Sequence, residues 1–375
     1  MDLITAILFI SGFVLLVGGA EILVRGASNL AFTIGLSPLV VGLTVVAYGT
    51  SAPELAVVLQ GIYSGQGDIS AGNVVGSNIA NILLILGGSA LVAPLIVARQ
   101  LVRQDIPIMI GLSVLLLLMG LDGEIGRTEG IFLCFGGIAY TIFILLQGRQ
   151  PTDDDDEIPE KISPKQRKQF VLKIALQVGY ILGGLACLTV GSRWLIDGAV
   201  AAATALGVSK LIVGLTIVAI GTSLPEIATS VVAGFRDQRD IAVGNAVGSN
   251  LYNILAVLGI CAALSPTGIP ISPPLLTFDL PVMIAVAAAC LPIFFSGYSI
   301  ARWEGLLFLA YYAAYTMYLF LHAVEHDALM AYSTIMMAFV VPLTAITLII
   351  IVLRTLHRNH RDRKAACSQD SPSAD

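Results

Sequence analysis

The chain has 375 residues, of which 57% are hydrophobic and 12% charged, and its formal net charge is −5. Soluble domains are roughly a quarter charged, so this composition excludes a pair of soluble domains and indicates a membrane protein with many spans. The five cysteines lie mostly in apolar segments without a metal-binding spacing. We therefore predict that they are small core residues.

Apolar windows of membrane-spanning length follow one another along the chain. The first stretch, MDLITAILFI, has no basic region before it and predicts a spanning helix rather than a cleaved signal peptide. The fold class predicted is therefore an all-α polytopic membrane protein. Eleven helices are expected, at about residues 3–20, 37–60, 69–92, 106–121, 128–147, 170–190, 209–234, 241–264, 278–295, 302–321 and 330–353.

The distribution of basic residues supports this count. If the N-terminus lies outside and each helix crosses once, 17 of the 20 Lys and Arg residues fall inside, and only Arg127, Arg193 and Lys210 fall outside. Such an excess is the positive-inside pattern of membrane proteins. The sequence thus predicts an integral membrane protein with its N-terminus outside and a cytoplasmic C-terminus.

One long motif occurs twice with a constant offset of 172 residues. GLTVVAYGTSAPE (42–54) matches GLTIVAIGTSLPE (214–226) at 10 of 13 positions, and GNVVGSNIANILLILG (72–87) matches GNAVGSNLYNILAVLG (244–259) at 11 of 16. Weaker matches continue to DIPIM and DLPVM and to two later EG pairs. Each repeat is therefore about five helices long.

An odd number of helices makes the second repeat enter the membrane from the opposite side. Inverted repeats of this kind recur in secondary transporters, whose sites lie near the midplane between the repeats. We predict two inverted five-helix repeats, a ten-helix core, and an additional eleventh C-terminal transmembrane helix. The predicted divisions are repeat one at 1–147, a cytoplasmic linker at 148–169, repeat two at 170–322, and the extra helix with a basic tail at 323–375.

Each copy of the motif places one acid, Glu54 or Glu226, inside an apolar run. A charge in hydrocarbon is costly, so such an acid indicates function by default, although a single copy could also be a kinked structural helix. Pro53 and Pro225 lack an N–H, and each frees a backbone carbonyl one turn earlier. Such a carbonyl is tolerated at membrane depth where it lines a cavity.

The neighbouring residues offer only oxygen ligands. Hydroxyls precede each acid by three and four positions, and Ser and Asn follow in the next helix at i, i+4. Oxygen ligands with two carboxylates suit a hard cation, and flexible coordination favours Ca²⁺ over Mg²⁺. Two carboxylates balance one divalent ion, while the empty site would be costly. This is the logic of an obligatory antiporter.

At these residues the chain resembles a known family. GTSAPE with GNVVGSNIAN, and GTSLPE with GNAVGSNLYN, resemble the two alpha-repeats of the sodium/calcium exchanger branch of the calcium:cation antiporters, above all the compact prokaryotic type. The resemblance covers roughly residues 3–322. It implies that the first and sixth helices slide as a pair outside a rigid core, and that Ca²⁺ and Na⁺ are the transported substrates.

The resemblance also implies a set of ion ligands. Glu54 and Glu226 would be central, Thr50, Ser51, Thr222 and Ser223 would add oxygens, and Ala47 and Ala219 would offer backbone carbonyls. Ser77, Asn81, Ser249 and Asn253 would complete the sites, although these four could instead bond across helices. Potassium-dependent relatives carry an aspartate at the position of Asn253, so we do not expect potassium co-transport.

Several other polar residues have open interpretations. Helix packing and gating are both compatible with four asparagines, namely Asn73, Asn78, Asn245 and Asn250. Interfacial anchoring is the prediction for four acids near the membrane edges, namely Asp105, Asp279, Glu129 and Glu304. The acidic run Asp153–Glu157 is predicted to be a solvated part of the linker, because it lacks the glycine and the ligand spacing of an EF-hand loop.

Other functions remain as alternatives. An H⁺/Ca²⁺ antiporter would differ in its driving ion, and a cation channel would need no coupling. An intramembrane enzyme would need a nucleophile with a base, or a site of His and carboxylates, and neither is visible in the sequence. The prediction is therefore a transporter without a cofactor, in contact with lipid and not with nucleic acid. A monomer is compatible with the sequence, which does not indicate an oligomeric state.

Overall fold

The chain forms a bundle of membrane-length helices in this computed structural model, which describes residues 3–64, 67–148, 164–207, 213, 219–295, 297–347, 349 and 353. Ten helices in this part of the chain are long and apolar enough to cross a membrane, and a further apolar helix is shorter. The helices are α1 (Leu3–Ile34), α2 (Pro38–Tyr63), α3 (67–92), α4 (Leu101–Asp122), α5 (Arg127–Gln147), α6 (Pro164–Ala205), α7 (Leu224–Phe235), α8 (Arg239–Leu264), α9 (Leu275–Phe295), α10 (Arg302–Ala323) and α11 (Ala328–Thr347). The all-α fold class is confirmed.

Two helices are longer than the sequence windows predicted. α1 has 32 residues instead of ending near residue 20, and α6 has 42 residues instead of spanning 170–190. The windows marked only apolar stretches of about the 20 residues that cross hydrocarbon, whereas both helices continue through polar turns. α6 consequently begins inside the segment predicted as a linker. Residues 149–163, most of 208–218 and the tail from 354 lie outside the described residues.

Wide π-helical turns interrupt equivalent helices of the two repeats. α3 widens at Asn81–Leu86 and α8 at Asn253–Leu258, while α4 begins with Leu101–Asp105 and α9 with Leu275–Asp279. Such turns insert one residue and often occur at functional sites. The first pair places two predicted ligands, Asn81 and Asn253, at the start of a widened turn.

Two short antiparallel ladders join the repeats. β1 (Leu95–Ile96) pairs with β4 (Ser299–Ile300), and β2 (Glu124–Ile125) pairs with β3 (Ile269–Pro270). Each ladder therefore takes one strand from each repeat. Two-stranded ladders are marginal alone, so we attribute them to the packing of the helices around them, which brings the ends of the two repeats together.

α3 and α8 lie at the centre of the bundle, because their apolar stretches are largely buried. Glycines let α8 approach the backbone of α2. A Cβ on Gly244 would lie 2.9 Å from the carbonyl oxygen of Leu39, and one on Gly248 would lie 2.6 Å from that of Leu43. Small residues at such contacts allow tight packing between membrane helices.

α1 and α6 form a closely packed pair. A Cβ on Gly12 would lie 2.8 Å from the carbonyl oxygen of Gly191, and one on Gly19 would lie 2.9 Å from that of Gly184. The reverse contacts are equally short, at 2.8 Å from Gly191 to Gly12 and 2.8 Å from Gly184 to Gly19. These glycines are seven residues apart in each helix, so they share one face along the whole contact.

α11 lies outside the duplicated core and contacts α10. The Tyr332 hydroxyl donates to the carbonyl oxygen of Ala314 at 2.8 Å, and the hydroxyls of Tyr311 and Thr344 hydrogen-bond to each other. The remaining surface of the helix is exposed and apolar, as at Met337 and Phe339. α11 is therefore an addition to the ten-helix core at its periphery.

Candidate functional site

The helices that carry the two repeated acids both break just before them. α2 leaves helical geometry at Ser51, with φ −80° and ψ 2°, and the chain before α7 does so at Ser223, with φ −89° and ψ 5°. A proline occupies the first turn of each following segment, where its missing N–H costs no hydrogen bond. Glu54 and Glu226 lie in those first turns, where the helix dipole favours a negative charge.

Both acids are buried, with 1% of each residue exposed. Oε2 of Glu54 and both carboxyl oxygens of Glu226 accept no hydrogen bond from the described residues. The ion pairs in this part of the protein involve other acids. The two carboxyl groups are nevertheless close enough for their charges to interact. Two buried acids from different repeats therefore lie within reach of each other's charge, and none of the described Lys, Arg or His residues forms an ion pair with either one.

Asparagines of α3 and α8 meet beside the helices that carry these acids, because Asn81–Leu86 contacts Leu224–Phe235 and Asn253–Leu258 contacts Ala52–Tyr63. The Nδ2 of Asn81 donates to Oδ1 of Asn250 at 2.9 Å, and the Nδ2 of Asn253 donates to Oδ1 of Asn78 at 3.1 Å. Asn78 and Asn250 bond in turn to each other's backbone carbonyls. The structure thus assigns Asn78 and Asn250 to contacts between the two repeats, whereas the sequence left packing and gating open.

Most of the predicted ligands carry oxygen atoms without a hydrogen-bond partner among the described residues. Unpartnered oxygens of this kind are few in folded proteins, because burying them is costly. Three such oxygens lie elsewhere, on Ser89, Gln104 and Gln177, and the other nine belong to predicted ligands, namely the hydroxyls of Ser51, Thr222, Ser223 and Ser249, one carboxyl oxygen of Glu54 and both of Glu226, and the amide oxygens of Asn81 and Asn253. This arrangement is one that a hard cation would satisfy.

Four predicted ligands remain, and two of them, Thr50 and Ala47, have hydrogen-bond partners in the protein. The Thr50 hydroxyl lies 3.3 Å from the carbonyl oxygen of Ala47 and 3.1 Å from Oδ1 of Asn245. The Ala47 carbonyl also accepts from the N–H of Ser51 at 3.1 Å. Ser77 is buried, and Ala219 opens the short helix Ala219–Gly221 that precedes Thr222.

Asn245 links the two repeats, and its counterpart Asn73 does not. Besides its contact with Thr50, Asn245 donates to the Ser230 hydroxyl at 3.0 Å and to the carbonyl oxygen of Glu226 at 3.4 Å. The amide nitrogen of Asn73 has no partner among the described residues. One reason is visible in the sequence, since Val58 stands where the second repeat has Ser230.

Interfacial anchoring is the wrong prediction for Asp105. This residue is fully buried and accepts a hydrogen bond from the Tyr140 hydroxyl at 3.0 Å. Asp279 is half-buried and accepts one from the Tyr315 hydroxyl at 2.8 Å. Tyrosines of α5 and α10 thus cover the starts of α4 and α9. The sequence offered no signal for these pairs, which join residues 35 and 36 positions apart.

Glu129 and Glu304 act locally as helix caps. The N–H of Gly126 donates to Oε2 of Glu129 at 2.8 Å, and the N–H of Ala301 donates to Oε2 of Glu304 at 2.7 Å. Each acid therefore satisfies a free N–H at the start of its own helix. The structure shows capping for this pair, and interfacial anchoring stays a prediction.

Comparison with known proteins agrees with this architecture. The family model described as "Sodium/calcium exchanger protein" matches residues 4–147 and 176–321. The chain is 38% identical over 268 residues to the putative antiporter CaxA of Alkalimonas amylolytica, covering 70% of this chain and 82% of the relative. It is 30% identical over 352 residues to the sodium/calcium exchanger MaX1 of Methanosarcina acetivorans, covering 85% and 99%.

A solved structure shares the fold. The sodium-calcium exchanger NCX_Mj, soaked with Na⁺ and Ca²⁺, superposes with a TM-score of 0.70 at 30% identity, covering 84% of this chain and 97% of that one. The family match ends at residue 321, so α11 lies beyond it. The similarity to these proteins therefore covers the ten-helix core of α1–α10. The chain belongs to the sodium/calcium exchanger family.

Proposed function

We propose that this protein exchanges Ca²⁺ for Na⁺ across the membrane at a midplane site built on Glu54 and Glu226. The observation that carries the proposal is the burial of these two acids, one from each repeat, within reach of each other's charge and without an ion pair to any described cation. The unpartnered oxygens around them supply the further ligands that a cation needs. All twelve residues predicted from the sequence belong to this proposed site.

The charge of the site explains why transport would be an exchange. Two facing carboxylates in a low-dielectric core repel each other, and each is costly without a partner. One Ca²⁺, or Na⁺ ions in its place, removes that cost. Passage through an occluded state is therefore favourable with cations bound and unfavourable with the site empty. A protein with this property can turn its site back to the first side of the membrane only after it has bound the ion that moves in the opposite direction.

Alternating access would arise from movement of the α1–α6 pair against the remaining helices. The glycine contacts within the pair, such as Gly12 with Gly191, keep the two backbones together. The pair meets the core at the helix breaks, because a Cβ on Gly49 would lie 2.6 Å from Leu185 and one on Gly221 would lie 2.6 Å from Ile196. Sliding at these contacts would expose the proposed site to one side at a time.

The protein is an integral membrane protein, and we place it in a prokaryotic inner membrane with the N-terminus outside and the C-terminus inside. The bias of Lys and Arg toward one side supports this orientation. The substrates are the ions themselves, and the surrounding partner is lipid. A single copy contains both acids, so one copy suffices for the proposed site.

Uptake of ⁴⁵Ca²⁺ into Na⁺-loaded proteoliposomes tests the proposal. The unmodified protein should take up Ca²⁺ when the medium lacks Na⁺, and Glu54→Gln and Glu226→Gln should each reduce this uptake to background. Glu124→Gln is the matched control, because this acid is exposed on β2. It should retain the uptake of the unmodified protein.

The same vesicles separate the alternatives. Uptake driven by an imposed pH gradient, and indifferent to Na⁺, would replace the proposal with H⁺/Ca²⁺ exchange. Uptake that needs no counter-ion gradient would indicate a channel. Uptake that persists in both glutamine variants would contradict the proposed site. It would not change the conclusion about the driving ion, which the gradients test separately.

A further inference from the structure

Four asparagines form a crossed arrangement between α3 and α8. The Nδ2 of Asn78 lies 3.3 Å from the backbone oxygen of Asn250, and the Nδ2 of Asn250 lies 3.2 Å from the backbone oxygen of Asn78. Their sulfur neighbours are also equivalent, namely Met283 at 3.6 Å from Asn78 and Met109 at 3.4 Å from Asn250. All four asparagines are buried. The arrangement repeats itself across the two halves.

The orientation of the first two amides follows from chemistry. A backbone carbonyl only accepts hydrogen bonds, so the amide group facing it must be the NH₂. Asn78 and Asn250 each face such a carbonyl, at 3.3 and 3.2 Å. Their Oδ1 atoms must therefore point the other way. This conclusion does not depend on telling nitrogen from oxygen by shape.

The orientation passes on to the second pair of amides. Oδ1 of Asn250 is an acceptor and lies 2.9 Å from Asn81, so Asn81 must turn its NH₂ toward it. In the same way Asn253 turns its NH₂ toward Oδ1 of Asn78 at 3.1 Å. The Oδ1 atoms of Asn81 and Asn253 are then left without a partner among the described residues.

We infer that Asn78 and Asn250 are positioning residues, which orient Asn253 and Asn81 so that their amide oxygens, and not their NH₂ groups, face the transported cation. This inference rests on the proposed function, since it concerns the same site. Without the first pair, the amides of Asn81 and Asn253 would be free to turn. A turned amide would present its NH₂ group to the cation, and the partial positive charge of that group would repel the cation.

The arrangement is crossed, so each positioning residue controls one ligand. Asn250→Ala removes the acceptor for Asn81, while the backbone carbonyl of Asn250 still holds Asn78, and Asn78 still holds Asn253. Asn78→Ala releases Asn253 in the same manner. An aspartate offers oxygen in either orientation and has no NH₂ to donate to the positioning residue, so it loses no hydrogen bond when that residue becomes alanine. Replacing the released asparagine with aspartate should therefore cancel the effect of the alanine.

Binding of ⁴⁵Ca²⁺ to the purified full-length protein measures this directly. We expect Asn250→Ala to weaken binding about tenfold, the size of one lost hydrogen bond. The same change should have little effect in a protein that carries Asn81→Asp, but its full effect in one that carries Asn253→Asp. The two aspartate variants have equal charge, so the comparison isolates orientation.

The mirror variants give a second, independent comparison. Asn78→Ala should be rescued by Asn253→Asp and not by Asn81→Asp, and this pair also serves if Asn250→Ala does not fold. A loss that is equal in both aspartate backgrounds, together with a lowered unfolding temperature, would overturn the positioning role in favour of helix packing. Absence of Ca²⁺ binding by the unmodified protein would overturn the proposed function and this inference together.

Discussion

The two repeats are nearly identical at their centre and differ around it. At the centre, Glu54 corresponds to Glu226, and the contact of Asn81 with Asn250 corresponds to that of Asn253 with Asn78. Around the centre, α7 buries seven residues, whereas the equivalent part of α2, Ala52–Tyr63, buries two. The chemistry of the proposed site is therefore symmetric, while the protein around it is more closed beside the second acid.

The attachment of the α1–α6 pair shows the same difference. Glu21 of α1 accepts a hydrogen bond from the Nε of Arg236, at the end of α7, at 2.8 Å, and Ser28 donates to Gln238 at 3.0 Å. The positions equivalent to Glu21 and Arg236 are Arg193 and Ser64, which have no such charge pair in the sequence. Among the described residues, this polar link therefore joins the pair to α7 and the segment after it, and the sequence of the first repeat cannot form the equivalent ion pair. We expect the contacts of Glu21 with Arg236 and of Ser28 with Gln238 to break when the proposed site opens to the opposite side of the membrane.

The largest expected effect is on the symmetric centre. If the two acids hold one cation together, Glu54→Gln and Glu226→Gln should each abolish Na⁺-dependent Ca²⁺ uptake, and the double variant should be no worse than either one. The measurement is the initial uptake rate in proteoliposomes. Partial activity in one single variant only would contradict a shared, symmetric site.

The next effect concerns the contact between α1 and α6. Gly19→Ala places a Cβ 2.9 Å from the carbonyl oxygen of Gly184, while the neighbouring Gly18 has open space within 4 Å. Overpacking of this kind costs about 1–3 kcal/mol. Gly19→Ala should lower the unfolding temperature and slow exchange, and Gly18→Ala should do neither. Equal behaviour of the two variants would refute the close packing of the pair.

A hydrogen bond present in one repeat only gives a similar or smaller effect. Ser230→Ala removes a hydroxyl that accepts from Asn245 at 3.0 Å. Leaving a buried amide donor poorly satisfied costs about 1–3 kcal/mol. The midpoint of denaturant unfolding should fall, whereas Thr347→Ala, an exposed hydroxyl of α11, should leave it unchanged. An unchanged midpoint in Ser230→Ala would argue against the link.

The smallest effect is expected at the ion pair between α1 and α7. Exposed ion pairs contribute less than about 1 kcal/mol and weaken in salt. Arg236→Gln should shift the Ca²⁺ concentration for half-maximal uptake measurably at low ionic strength. Arg25→Gln is the control, since Arg25 also pairs with Glu21 but within α1. Equal shifts in both variants would mean that the link to α7 has no role of its own.

Much of this molecule could be predicted from its sequence, because the duplication carries the information. Matching residues at a fixed offset indicated the inverted repeats and both acids, and the apolar windows located the helices. The contacts between repeats could not be predicted. Asn78 and Asn81 are both asparagines three positions apart, and only the packing of α3 on α8 decides which one faces the backbone carbonyl of Asn250 and which one faces its side-chain oxygen.

The errors have a common physical cause. Asp105 was expected at a membrane edge because hydropathy treats each helix alone, whereas Tyr140 of α5 covers it in the bundle. The lengths of α1 and α6 were underestimated because a window detects where hydrocarbon could be crossed and not where a helix ends. Both properties depend on neighbouring helices, which a single sequence window does not contain.

Obligatory exchange is the central claim, and efflux from Ca²⁺-loaded vesicles tests it most directly. Proteoliposomes loaded with ⁴⁵Ca²⁺ are diluted into a medium with either Na⁺ or choline as the only cation. The account predicts rapid loss of ⁴⁵Ca²⁺ into Na⁺ medium and retention in choline medium, because the empty pair of Glu54 and Glu226 cannot return. Equal loss into both media would contradict it.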